Sequence, residues 1–177
     1  MQPGSADSIL KLMTNEQAAF LLEQYLTDLG YETLVTRKTF GALPDAGHAY
    51  RPDPVTRTAG ETAWHIALSE EWFLRSLLNG EFGMPDEQTP ADTSTAALVA
   101  YYEGTVIPLL NEVKSMPAEK LAASLDFFGM FQNAAVTYLG FMLRHSIHHR
   151  GQLAAMLRSA GGKVPNIYGG SADEPMM

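Results

Sequence analysis

Leu143-Arg144-His145-Ser146-Ile147-His148-His149-Arg150-Gly151-Gln152-Leu153 is the stretch on which the reading of this chain turns. Taken at helical spacing, steps of three and four carry one face through Leu139, Met142, His145, His149, Leu153 and Met156. That is the apolar stripe of a helix that buries one side. Two histidines interrupt the stripe, and a buried polar ring needs a partner. His148 falls on another side with Arg144, Gly151 and Ala155, in an outer or supporting position.

Working outward, this helix is expected over residues 130–160, stopped by Gly161-Gly162 and Pro165. Three more helices precede it. The first spans residues 14–42: Thr14-Asn15-Glu16-Gln17 can form a capping box, and Phe20, Leu21, Tyr25, Leu29 and Leu34 recur at helical spacing. Gly30 is a weak point in its continuity. The second, residues 58–79, opens on the capping pattern Thr58-Ala59-Gly60-Glu61 and ends at Asn79-Gly80. The third, residues 90–114, has Pro90 at the favoured first-turn position and a kink at Pro108. Residues 117–129 read as a loop with a short extended piece at 124–128, and no strong period-2 strand is evident. With no repeat and no dividing linker, residues 1–177 read as one domain, all-α, a four-helix bundle with long loops between the helices. Such loops often carry function.

Composition narrows the function. Twenty acids against twelve bases, the bases scattered, exclude a phosphate-binding surface, so no nucleic-acid partner is expected. There is no cysteine, which removes disulfides, thiolate ligands and a cysteine nucleophile from the chain itself. Residues 1–7 show neither a basic nor an apolar leader region, and no apolar run approaches the roughly 20 residues of a membrane span. The expected location is cytoplasmic, with no membrane partner.

His145 and His149 are four apart, so on a helix their rings lie one above the other and can converge on one ion. The 145/148 spacing would also permit this, but the apolar stripe favours the first pair. His65, in Thr62-Ala63-Trp64-His65-Ile66-Ala67-Leu68 of the second helix, shares a stripe with Leu68 and Trp72 and is the third candidate ligand. Bundles commonly build metal sites from facing helices in this way. The same histidines could equally be hydrogen-bonded core groups. His48, in the first long loop, could cap the site or face water. Glu61 and Gln152 lie close to His65 and His149, but read more simply as a capping-box acid and a packing or dimer-contact residue. Arg150 reads as structural, pairing with an acid of another helix.

Trp64-His65 in the second helix, followed late in the fourth by His145-x-x-x-His149-Arg150-Gly151-Gln152, resembles the DinB/YfiT-like metalloenzyme family. The likeness runs from about residue 14 to residue 170 and includes Arg51-Pro52-Asp53-Pro54 and the tail Gly161 to Gly169. It implies an up-down-down-up four-helix bundle, commonly a homodimer, holding one divalent ion, nickel or zinc, on His65, His145 and His149. It also implies thiol-dependent chemistry on a small-molecule substrate, S-transfer or isomerisation.

Three histidines leave a coordination position open, as catalytic sites do. A thiol or a water beside such an ion is activated at neutral pH. Since the chain lacks cysteine, the thiol would be a small molecule. The zinc-protease pattern His-Glu-x-x-His is not met, because Ser146 occupies the place of the glutamate. The leading expectation is thus a metal-dependent transferase joining a low-molecular-weight thiol to an electrophile. The alternatives are a metal-dependent hydrolase of a small substrate and a non-catalytic metal-binding bundle.

Overall fold

In the computed structural model, residues 13–85 and 89–176 are described. The opening residues 1–7, where no leader was expected, lie outside them. The fold is mostly helical with one small two-stranded sheet. Its elements are α1 (Asn15–Gly41), a short 3₁₀ turn (Asp45–Gly47), α2 (Ala59–Asn79), α3 (Thr95–Tyr101), a π-helical turn (Tyr102–Val106) and α4 (Ile107–Lys114). They are followed by α5 (Ala118–Ala122), β1 (Ser124–Phe127), β2 (Phe131–Ala134) and α6 (Thr137–Leu157).

Both expected capping boxes form. Thr14 accepts from the Gln17 amide while the Gln17 side chain returns to the Thr14 amide, and Thr58 and Glu61 do the same at α2. Gly80 ends α2 at φ 79°, a left-handed position that costs glycine little. Gly30 does not interrupt α1. The buried face of α1 runs instead through Ala18, Leu22, Leu29 and Val35, leaving Phe20 and Leu34 exposed.

The third helix starts later than Pro90. Asp92 accepts from the Ser94 amide at 2.9 Å, and Ser94 caps α3 by accepting from Ala97 at 3.2 Å. The kink expected at Pro108 is a π-turn just before it. Proline has no N–H for Gly104 and its ring crowds that carbonyl, and the ladder widens so that Ile107 donates to Tyr102.

The fourth helix starts at Thr137, not at residue 130. Phe131–Ala134 pairs antiparallel with Ser124–Phe127, in the register Phe127 with Phe131 and Ser124 with Ala134. The three-residue tip, 128–130, places Phe128 and Gly129 at φ 54° and 71°, both left-handed. A left-handed phenylalanine is strained, and the Phe128 ring is stacked parallel to Trp72 at 6.2 Å. The presumed loop over 117–129 therefore contains α5 and β1.

The most extensive contact joins α2 to α6, with α1 packed along α6 and α5. Ile66, Leu74 and Leu77 meet Leu139, Met142 and Leu153 in one core with Phe40, Tyr102 and Val106. Gly140 lets α6 approach Tyr25 of α1. Among the described residues, no helix is long and apolar enough to cross a membrane.

Candidate metal centre

The α2–α6 seam brings His65, His145 and His149 together. Ring centroids lie 5.0 Å apart for 65/145, 4.6 Å for 65/149 and 4.4 Å for 145/149. One ring nitrogen from each falls within 4.8 Å of the others. Zn–N bonds of about 2.0–2.1 Å at tetrahedral angles set donors about 3.4 Å apart, so these donors need to close by up to about 1.4 Å to share an ion. Nδ1 of His145 is buried without a hydrogen-bond partner among the described residues. Three half-buried imidazoles at such spacing, one with a buried and unpartnered ring nitrogen, suit a cation better than they suit a hydrogen-bonded core.

Their charge state agrees. Burial is the largest cause that lowers His65 and His145 to about 4, with the Arg57 charge and the other rings adding to it. Burial also lowers His149, against a hydrogen bond to Gln152. All three are neutral near pH 7, with lone pairs available to a metal. A pH dependence follows. The unfolded histidines take up protons below about 6.5, whereas folded His65 and His145 stay neutral until about 4. The unfolded chain thus binds more protons in that window, and the metal-free protein should lose stability as pH falls from 6.5 to 4. Thermal melting in chelator across that range measures it; His65→Gln should flatten the slope.

Gln152, one turn after His148, reaches back to both neighbours. In this amide orientation its Oε1 lies 2.8 Å from Nδ1 of His149, and its Nε2 donates to Nε2 of His148 at 3.2 Å. An oxygen can only accept, so Nδ1 of His149 carries the proton and Nε2 keeps its lone pair. Gln152, close to His149 in sequence, thus also contacts it in space. His148 itself is exposed, as expected.

His48 does not cap the cluster. Its Nε2 is 2.8 Å from Oγ1 of Thr95, and its ring lies against Gly60, where an added Cβ would come within 2.8 Å of it. It braces the starts of α2 and α3. Glu61 keeps its capping role, accepting from the Thr58 amide at 2.7 Å, with Arg51 at 3.6 Å. Ser146 is buried next to Glu70, whose carboxyl is pushed up in pKa chiefly by burial and accepts from Tyr102 at 2.6 Å.

A cavity of about 500 Å³ opens beside the cluster, with His65 and His145 in its wall. Leu68, Trp72, Phe73, Phe127 and Phe141 supply most of the apolar lining, and Trp64, Ser69, Arg57 and Glu61 complete this side. Ser69 and Trp72 sit on the His65 face of α2, and Phe141 lies one turn before His145, so their places follow from spacing. Phe127 was illegible, because it arrives through the hairpin.

A DinB family model matches residues 13–176. The uncharacterised protein YrdA of Bacillus subtilis (strain 168) is 27% identical over 154 residues, covering 86% of this chain and 91% of YrdA. A DinB-like protein from Bacillus cereus ATCC 10987, known from a crystal structure, superposes with a TM-score of 0.69 at 28% identity, covering 82% of this chain and 97% of that one. YjoA, a DinB-like protein of B. subtilis, has the same fold at 20% identity, with a TM-score of 0.66 over 84% of this chain and 97% of its own.

Proposed function

Because the chain belongs to the DinB family, we propose that His65, His145 and His149 hold one divalent ion, nickel or zinc, in an enzyme that joins a low-molecular-weight thiol to an electrophilic small molecule. The observation that carries this reading is the convergence of three neutral imidazoles beside a ligand-sized cavity whose wall includes two of them, His65 and His145. A divalent ion there supplies Lewis acidity that lowers the pKa of a thiol or water beside it.

The chain's own residues do the rest. Gln152 holds His149 in the tautomer that presents a lone pair, and the aromatic wall excludes water and shapes the space for substrate. Hydrolysis is the weaker reading. Glu61 is the one acid among the described residues of the wall, and its carboxylate is engaged by the Thr58 amide and Arg51. A purely structural metal needs no cavity. The order α1, α2, the α3–α4 run and α6 supports an up-down-down-up four-helix bundle folding as one domain. Exposed Phe20 and Leu34 on α1 offer an apolar surface for a homodimer, which sedimentation at two concentrations would test.

The deciding experiment follows consumption of a generic electrophile by the metal-loaded protein with and without an added thiol. Turnover that requires the thiol and vanishes in His149→Ala supports the transferase. Equal turnover without thiol points to hydrolysis, and none in either case leaves a metal-binding bundle. Gln152→Ala should weaken metal binding about 10–100-fold, the usual effect of losing a partner that orients a ligand. Competition with a chromophoric chelator reads this directly.

A further inference from the structure

The cavity is apolar on most of its wall and has a cation on its rim. Arg57 immediately precedes the α2 cap and is exposed. Among the described residues it has no hydrogen-bonded or ion-paired acid, unlike Arg51, which lies 3.6 Å from Glu61. The acids four residues to either side of it in sequence are already committed to backbone amides. Glu61 accepts from Thr58, and Asp53 accepts from Val55 and Thr56 at 2.9 Å each. Arg57 is therefore a cation without a directly bonded acid among the described residues, beside a cavity of a chain whose formal net charge is −8.

We propose that the cavity takes a carboxylate carried on a flat apolar body, with Arg57 pairing the carboxylate and Trp72, Phe73, Phe127 and Phe141 holding the body. As a statement about substrate, this rests on the cavity being the reactive site proposed above. A guanidinium matches a carboxylate through two parallel N–H bonds, which a point charge cannot do. Trp72 and Phe73 lie 4.8 Å apart at 63°, and Phe127 and Phe141 lie 5.8 Å apart at 50°, so the wall offers an aromatic guest both ring faces and ring edges to stack on. About 500 Å³ accommodates a two-ring acid.

Calorimetric titration of metal-free protein with 2-naphthoate and its neutral isostere 2-naphthamide tests this without the ion. The acid should bind at least about 10-fold more tightly than the amide, the worth of one charge-assisted pair. Arg57→Gln should abolish that preference and leave the amide's affinity unchanged. Arg75→Gln, an exposed arginine bonded to Glu71 outside this wall, should retain it. Equal affinities, no binding of either probe, or a preference that survives Arg57→Gln would overturn the proposal. So would a preference present only after zinc loading, which would place the anion at the ion instead. Loss of the metal-site reading would show separately, in the metal content of the wild-type protein.

Discussion

His145→Ala should abolish stoichiometric metal binding. The His145 ring is one corner of a near-equilateral triangle, 5.0 Å from His65 and 4.4 Å from His149, and its Nδ1 has no hydrogen-bond partner among the described residues. Deleting it leaves two donors from different helices and no group positioned to replace the third. The loss should exceed the about 10–100-fold cost of an orienting partner such as Gln152. Elemental analysis of protein purified from metal-replete cells should find about one equivalent in the wild type and little in the variant. Helicity and melting in chelator serve as the folding control. A well-folded His145→Ala protein that keeps one equivalent at wild-type affinity would remove His145 from the ligand set.

The largest stability effect is expected at Arg150. It is 2% exposed, the bulkiest of the fully buried side chains. Its Nη1 donates to the Glu32 carbonyl at 3.2 Å and to Thr36 Oγ1 at 3.0 Å. Its Nη2 pairs with the Glu32 carboxylate and donates to the Tyr168 hydroxyl at 2.5 Å, and that hydroxyl in turn donates to Glu32. Arg150→Ala deletes the four bonds made by the guanidinium and leaves a mostly buried carboxylate with the Tyr168 hydroxyl alone of this set. It should cost about 3–5 kcal/mol, seen as a lower denaturant midpoint. Replacing Arg150 and Glu32 together by methionine should recover much of that loss, because the isolated charge is then gone. If Arg150→Ala cost under about 1 kcal/mol, the pair would not be what ties α6 to α1.

The candidate centre was legible because its signal is local. The i,i+4 pair sits on a stripe of Leu and Met, and His65 shares its face with Leu68 and Trp72. Helix starts were legible where a side chain caps its own third residue, as at Thr14 and Thr58. The hairpin was not, since Phe131–Ala134 gains its strand partner only when the chain reverses at Phe128-Gly129, a pair without the Asn-Gly or Asp-Gly signal of short hairpins. The residues before Thr137 carry enough alanine and apolar character to read as a helix extension, and pairing across the hairpin overrides that propensity. His48 misled for a like reason: its contacts with Thr95 and Gly60 are tertiary.

The chain has two tryptophans, and both stand in the wall of the cavity. Trp64 is nearly buried and bonds the Thr93 carbonyl at 3.4 Å, whereas Trp72 is partly open and bonds that of Gly83 at 2.8 Å. Excited at the red edge of its absorption, where tyrosine contributes nothing, the protein emits from this one place. Its fluorescence is an unlabelled gauge of the cavity. At the proposed centre, paramagnetic nickel would quench that light where closed-shell zinc would not, so the emission would report which of the two ions had been loaded.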